Sequence, residues 1–223
     1  MGIINFGVTL IRHSTQRKHF FRWIASFRKD YLFKTKQPWL TFDAIDFLNS
    51  LPLENKRVFE FGSGSSTLFW LEHRCKLVSV EHDHIWYNRL CSRYLCDKRC
   101  DYRFVPPEYI GYHLFDISNP NSYASLDELY PCHSFWEYSN QIQNFPNNYF
   151  DYILIDGRAR PSCIKHSCQK VKIGGFLILD NSDREYYLKI SSKFLHGYDR
   201  ITFWGIVPEA RWFCETSFFR RKN

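Results

Sequence analysis

No stretch of this 223-residue chain carries the roughly 18 consecutive apolar residues that a membrane-spanning helix needs. Met1–Leu10 is too short for a secretory signal and lacks its basic start. These absences predict a cytoplasmic protein. The eight cysteines, at 75, 91, 96, 100, 132, 163, 168 and 214, include no Cys-x-x-Cys pair. The spacings of Cys91, Cys96 and Cys100 do not build a tight zinc site, so reduced, structural thiols are expected. Internal repeats and low-complexity tracts are missing too. What remains is 44% hydrophobic and 19% aromatic. That suffices for one sizeable core, while the length is short for two full domains.

Negative charge is scarce at the start of the chain. Residues 1–36 hold eight Lys or Arg (12, 17, 18, 22, 28, 29, 34, 36) against one acid, Asp30, and this excess equals the whole chain's formal charge of +7. Residues 37–223 are therefore balanced. Phe20, Ile24, Phe27 and Tyr31 recur at helical spacing, with Lys18, Arg22 and Lys29 on another side. The pattern predicts a basic amphipathic helix in an extension, 1–36, ahead of a domain over 37–223. Such a helix ordinarily docks its aromatic face on the domain. The next reading is peripheral contact of residues 12–36 with an anionic membrane surface. Nothing else in the chain supports nucleic-acid recognition, and no such partner is expected.

After residue 36 the chain alternates between strand and helix signals, as in a doubly wound α/β sheet. Thr41 can cap a helix through about Leu51. Val58–Phe61 and Lys76–Val80 read as the first two strands, the second ending in Glu81. Tyr102–Val105 follows, stopped by Pro106-Pro107. Residues 107–149 form a long insertion with several aromatics and one short helix near Phe135–Ile142. Loops of this length are usually functional, so the insertion is the candidate substrate-recognition cover. Strands are expected at Phe150–Asp156 and, after a Gly174-Gly175 turn, up to Asp180. Helices are expected over Ser162–Lys170 and Glu185–Leu195. Arg200–Pro208 and Trp212–Phe219 close the chain as an antiparallel hairpin.

The stretch Arg57–Thr67 runs from an apolar strand into a glycine loop and then a helix. Gly62 and Gly64 allow a tight turn and close backbone approach, and Ser65, Ser66 and Thr67 can cap a helix whose free N–H groups face a ligand. A dinucleotide fingerprint wants glycine where Thr67 stands. Glu81, at the end of the next strand, is placed to accept ribose hydroxyls.

Taken with Phe150-Asp-Tyr-Ile-Leu-Ile-Asp156 and Gly174-Gly-Phe-Leu-Ile-Leu-Asp180, the Glu60-Phe-Gly-Ser-Gly64 loop resembles the class I S-adenosylmethionine (SAM)-dependent methyltransferases, over roughly residues 40–220. The resemblance implies a mostly parallel seven-stranded Rossmann-like sheet and an enzyme that transfers methyl groups. It implies that Gly62, Ser63, Gly64 and Ser65 pass beneath SAM, that Glu60 orients this loop, that Glu81 holds the ribose, and that His82 and Trp86 border the adenosine. For Trp86, a core aromatic is an equal reading. The expected acceptor is a small molecule or glycan-like compound, methylated at oxygen. A nicotinamide-dependent oxidoreductase or epimerase and a non-catalytic module attached by its basic helix stand as alternatives.

Asp156 and Asp180-Asn181 end neighbouring strands, and here the resemblance extends in part to the catechol and caffeoyl-coenzyme A O-methyltransferases, whose matching positions hold magnesium. That makes Asp156 and Asp180 candidate catalytic residues and, with Asn181, candidate Mg2+ ligands. The lysine base of that branch is replaced by Ala159, between Arg158 and Arg160. Arginine is a poor base and a good anion binder, so both arginines are candidate substrate anchors. His113, His133, His166 and Asp183 are further candidate bases.

Overall fold

The structure is a computed structural model that describes residues 2–94, 97–111, 116–126 and 128–223. Its main sheet contains β1 (Arg57–Phe61), β2 (Lys76–Glu81), β3 (Cys100–Phe104), β4 (Phe150–Ile155), β5 (Val171–Asp180), β6 (Tyr198–Ile206) and β7 (Phe213–Arg221). The order across the sheet is β3-β2-β1-β4-β5-β7-β6. The first five strands are parallel, and β7 pairs antiparallel with both β5 and β6. This is the expected doubly wound sheet with a terminal antiparallel hairpin.

The apolar runs of the central strands supply a core on each face. Val58, Leu77, Tyr152, Leu154, Phe176 and Ile178 point into one cluster. Their strand neighbours Phe59, Phe61, Val78, Ile153, Ile155 and Leu177 point into the other. Strands buried on both faces need such unbroken runs, whereas a half-exposed strand alternates. β5 starts earlier than expected, at Val171. Gly174 and Gly175 lie inside it, where the register with β4 shifts between Phe150 and Tyr152. The glycine pair is an irregularity within the strand, because a Cβ on Gly175 would lie 2.6 Å from the Asp151 carbonyl oxygen.

The N-terminal segment differs most from expectation. In place of one long helix it forms α1 (Ile3–Arg12), a 3-10 turn at Arg17–His19, α2 (Phe20–Ser26) and α3 (Tyr31–Thr35). The Ser26 hydroxyl donates to the Trp23 carbonyl and accepts from the Glu209 N–H, so the side chain competes with helix continuation at that point. The buried face carries Phe6, Leu10 and Trp23, while Ile24 is about half exposed. These buried residues belong to the same core cluster as β1 and β4. Polar contacts fasten the segment further. Trp23 Nε1 donates to the Ala210 carbonyl at 2.6 Å, and Gln16 bridges Asp43 and the Ile206 N–H.

The remaining helices fall where the sequence signals place them, with α8 starting and ending a few residues earlier than expected and the helix expected over Glu185–Leu195 reduced to its first turn. Thr41 caps α4 (Phe42–Asn49) through the Ala44 N–H. Then come α5 (Ser65–Glu72), α6 (His84–Tyr94), α7 (Trp136–Asn140), α8 (Arg160–Ser167) and α9 (Glu185–Leu188), the last followed by a 3-10 turn at Ser191–Leu195. Within 107–149, Phe135, Tyr138 and Ile142 are buried in the second core cluster. The part of the insertion around α7 is thus packed on that face.

Since Trp23 fills the core and its indole donates to Ala210, Trp23→Ala should cost about 3–5 kcal/mol in denaturant unfolding. Removal of residues 1–36 should give a chain without a cooperative transition. A truncated chain that unfolds at the full-length midpoint would show that the segment is dispensable to the domain.

Candidate functional site

A cavity of about 620 Å3 opens where β1, β2, β4 and β5 end. Here the chain winds from β1 toward β2 on one side and places β4 on the other, the position at which open α/β sheets form ligand crevices. The loop after β1 and the loop after β4 approach each other closely. Gly62 has φ +88°, and a Cβ there would come within 2.7 Å of Gly157 Cα. Only glycine meets both demands. Gly64 is different: its backbone is extended, and the nearest atoms to an added Cβ are 3.9 and 4.0 Å away. The protein's own packing leaves space above Gly64.

Two carboxylates hold this loop. Glu60 is fully buried, and its Oε2 accepts from Thr67 Oγ1 at 2.6 Å and Ser79 Oγ at 2.5 Å. Thr67 Oγ1 also accepts from the Gly64 N–H at 3.0 Å, tying the first turn of α5 back to the loop. Burial pushes the Glu60 carboxyl up to about 7, opposed by the hydroxyls of Ser66, Ser79 and Thr67 and aided by the charge of Glu81. Glu81 accepts from the backbone N–H groups of Ser63 at 2.8 Å, His82 at 2.9 Å and Asp83 at 2.8 Å. Its orientation is therefore fixed at the cavity wall. Trp86 donates from Nε1 to the Ser63 carbonyl, and its ring also lines the cavity. His82 lies at the wall with its ring against Tyr130, Phe135 and Tyr138.

The structure brings Asp156, Arg158, Arg160, Asp180 and Asn181 to the same cavity. Arg160 is only 6% exposed. Its guanidinium donates to the carbonyls of Gly157, Asp156 and Asp180 and forms a 3.0 Å ion pair with Asp156 Oδ1. The Arg160 donors are thus largely spent on the two strand ends. Asp180 Oδ1 accepts from Thr216 Oγ1 at 2.8 Å, and Asp180 Oδ2 is 3.9 Å from Arg160. Burial, then the charge of Asp180, raises the Asp156 carboxyl well above the usual range, with Arg160 opposing. Asp180 is also raised by burial, against Arg160 and Thr216.

The other candidate bases lie elsewhere. His166 sits on α8, its pKa lowered to about 4 by burial, and Asp183 accepts from the Glu215 N–H. Neither they nor His133 line the cavity. His113 lies outside the described residues. Among the described residues, His19, Asp43 and Asp46 form a group whose ligand atoms lie within 4.8 Å of one another. Lys18 and Arg22 already pair with its carboxylates.

Sequence reasoning missed the wall that the N-terminal segment builds. Asp30, Leu32, Phe33 and Trp39 line the cavity, with Glu209 and Trp212 from the β6–β7 connection. Arg89 stacks over both Phe33 and Trp86 and pairs with Asp30 at 3.3 Å. No local motif announces these residues, because their meeting is purely tertiary. From the 107–149 insertion, Leu129 reaches the cavity.

No protein-family model and no curated protein matches the chain. Solved structures do. An O-methyltransferase from Bacillus cereus in complex with SAH aligns with a TM-score of 0.58 at 13% identity, covering 92% of this chain and 97% of that one. A methyltransferase-like protein from Silicibacter pomeroyi aligns with a TM-score of 0.51 at 18% identity, covering 84% and 91%. At such identities the likeness shows the fold, and the chain has the Rossmann-like fold of the class I methyltransferases.

Two substitutions separate packing from ligand space. Gly62→Ala should destabilise the protein by about 3 kcal/mol or more through strain and collision with Gly157. Gly64→Ala should change stability by about 1 kcal/mol or less, so that any larger loss of ligand affinity reflects contact with the ligand. The Glu60 carboxyl has a folded pKa of about 7 against an ordinary 4.5, so the native state binds the extra proton between these values. Its contribution is greatest below pH 4.5 and declines as pH rises to 7, by about 3 kcal/mol in all. Glu60→Gln should flatten this part of the stability profile in denaturant titrations, and an unchanged slope would remove Glu60 as its source.

Proposed function

We propose that this chain is a SAM-dependent methyltransferase acting at an oxygen of a small-molecule acceptor. The observation that carries the reading is the loop Gly62–Gly64, held by Glu60 and Glu81 at the wall of a crevice at the sheet's switch point. The unfilled space over Gly64 supports a ligand lying against the loop. SAM supplies an electrophilic methyl on a sulfonium. On this reading Glu81 accepts the ribose hydroxyls, Ser63 and Ser65 border the methionine part, and His82 and Trp86 flank the base. A Bacillus cereus neighbour solved with SAH adds weight through its fold.

We assign the acceptor end to Asp156, Asp180, Arg158 and the rim indoles. Trp39 and Trp212 line the cavity and are 47% and 55% exposed, and Trp39 Nε1 is pinned to the Pro208 carbonyl at 2.7 Å. Indole faces at the rim, that of Trp39 fixed by its hydrogen bond, suit a ring-bearing or glycan-like acceptor. Oxygen methylation needs proton removal. Asp156, its proton affinity raised by burial and by Asp180, is suited to take that proton.

The donor set fits a divalent ion poorly. Arg160 already supplies the positive charge between Asp156 and Asp180, and Thr216 occupies Asp180 Oδ1. A Mg2+ ion would have to displace or repel a buried guanidinium. We therefore derive no step through a metal. The nicotinamide alternative is disfavoured because Thr67, standing where the third fingerprint glycine belongs, has its hydroxyl engaged by Glu60 and Gly64.

Calorimetry should show SAM or SAH binding, weakened in Glu81→Gln by about 1.5–3 kcal/mol through loss of a charge-assisted contact. Binding of NAD in place of SAM would overturn the reading. Once an acceptor is found by labelled-methyl screening, turnover should persist in excess EDTA. Asp156→Asn should lower kcat by about a hundredfold or more.

A further inference from the structure

The outer surface of the N-terminal segment combines two features that are ordinarily kept apart. α1 already has its buried stripe, Phe6, Gly7 and Leu10, packed on the domain. A second apolar stripe faces solvent. Ile4, Val8 and Ile11, at helical spacing on one side, are 78%, 43% and 50% exposed. On α2, Phe21 is 82% exposed and Ile24 48%. The same segment carries the chain's entire excess of positive charge. Lys18, Arg22 and Lys36 are matched by Asp43, Asp46 and Glu72. Arg12, Arg17, Arg28, Lys29 and Lys34 are exposed.

We propose that this surface docks on a bilayer containing anionic lipid, with α1 lying in the plane of the interface. An interfacial helix needs an apolar face to enter the acyl boundary and cations to meet the headgroups, and the segment presents both. Among the described residues no helix is long and apolar enough to cross the membrane, so attachment is peripheral. A second copy of the chain is a poorer occupant, because a symmetric contact would bring two strongly cationic segments together. Nucleic acid would satisfy the cations and leave the aliphatic stripe of Ile4, Val8 and Ile11 in water. With residues 37–223 balanced, the chain's net positive charge lies in this segment.

Flotation with phosphatidylcholine vesicles, with and without phosphatidylserine, tests the assignment on the full chain. Binding is expected to the mixed vesicles, to fall at high salt, and to be weak on phosphatidylcholine alone. Ile4→Ser/Val8→Ser/Ile11→Ser should weaken binding by about tenfold or more, and Arg28→Ala/Lys29→Ala/Lys34→Ala by a similar factor. Both variants alter exposed side chains and should keep the parent melting temperature and SAM affinity. Absence of binding to the mixed vesicles would overturn the proposal, as would undiminished binding by the Ile4/Val8/Ile11 variant. So would lipid-free self-association that this variant abolishes, or tight RNA binding that it leaves intact. Because vesicle binding is read without SAM, failure here is distinct from failure of the proposed enzyme activity.

Discussion

Glu60 stands at the end of β1 with no access to water, where an uncompensated carboxylate would be costly. Hydroxyls from two directions meet it. Thr67 links it to the first turn of α5 and to the Gly64 N–H, while Ser79 links it to β2 and to Ser63. The carboxyl therefore couples a strand end, a helix start, a neighbouring strand and both halves of the glycine loop. Glu81 grips the same loop through the Ser63 N–H, and Trp86 grips it through the Ser63 carbonyl. A loop held this way presents its backbone in a fixed shape, so little ordering remains to be done when a ligand arrives.

The two-sided strands explain how much of this architecture the sequence discloses. β1, β2 and β4 must be apolar on both faces, which writes short continuous runs such as Tyr152–Ile155, and their ends are marked by glycine or acid. β3 is harder to place. It forms a sheet edge with Asp101 partly in solvent, and the charged and polar residues among Cys100–Phe104 blur its start. The helix expected over Glu185–Leu195 contains a real first turn, after which the chain tightens into a 3-10 turn. Propensity reads helix versus strand well there, and it has little power over how a helix is divided.

The N-terminal segment shows a different failure. Phe20 and Phe27 pack half-buried against the core, as the helical spacing suggests, yet the buried side chains of the segment are Phe6, Leu10, Gln16, His19, Trp23, Ser26 and Leu32. Three of these, Gln16, His19 and Ser26, are polar and carry no hydrophobic signal. Gln16 is buried because its amide meets Asp43 and the Ile206 N–H, and His19 because its ring meets Asp43 and stacks on Phe42. Each partner is far away in sequence, so no local pattern could have revealed the contact. The same holds for Asp30 and Phe33 at the cavity wall, which depend on Arg89 and Trp86.

The cluster of Asp156, Asp180 and Arg160 unites residues that the sequence suggests separately as metal ligands and substrate anchors. Counted together, two carboxylates and one guanidinium carry a single net negative charge at the cavity wall, with Arg160 and Asp180 buried and the Asp156 side chain 23% exposed. Adding one proton makes the cluster neutral, which low-dielectric surroundings favour, and this is why Asp156 holds a proton more tightly than an ordinary aspartate. Arg160 opposes the rise at both carboxylates and fixes both strand ends through the Gly157, Asp156 and Asp180 carbonyls. On the proposed reading, the cluster in its ionised form takes the proton leaving an acceptor hydroxyl and becomes neutral by doing so. A divalent ion could stabilise the same alkoxide, but the guanidinium already provides the fixed positive charge, and the two would compete for the same carboxylate oxygens.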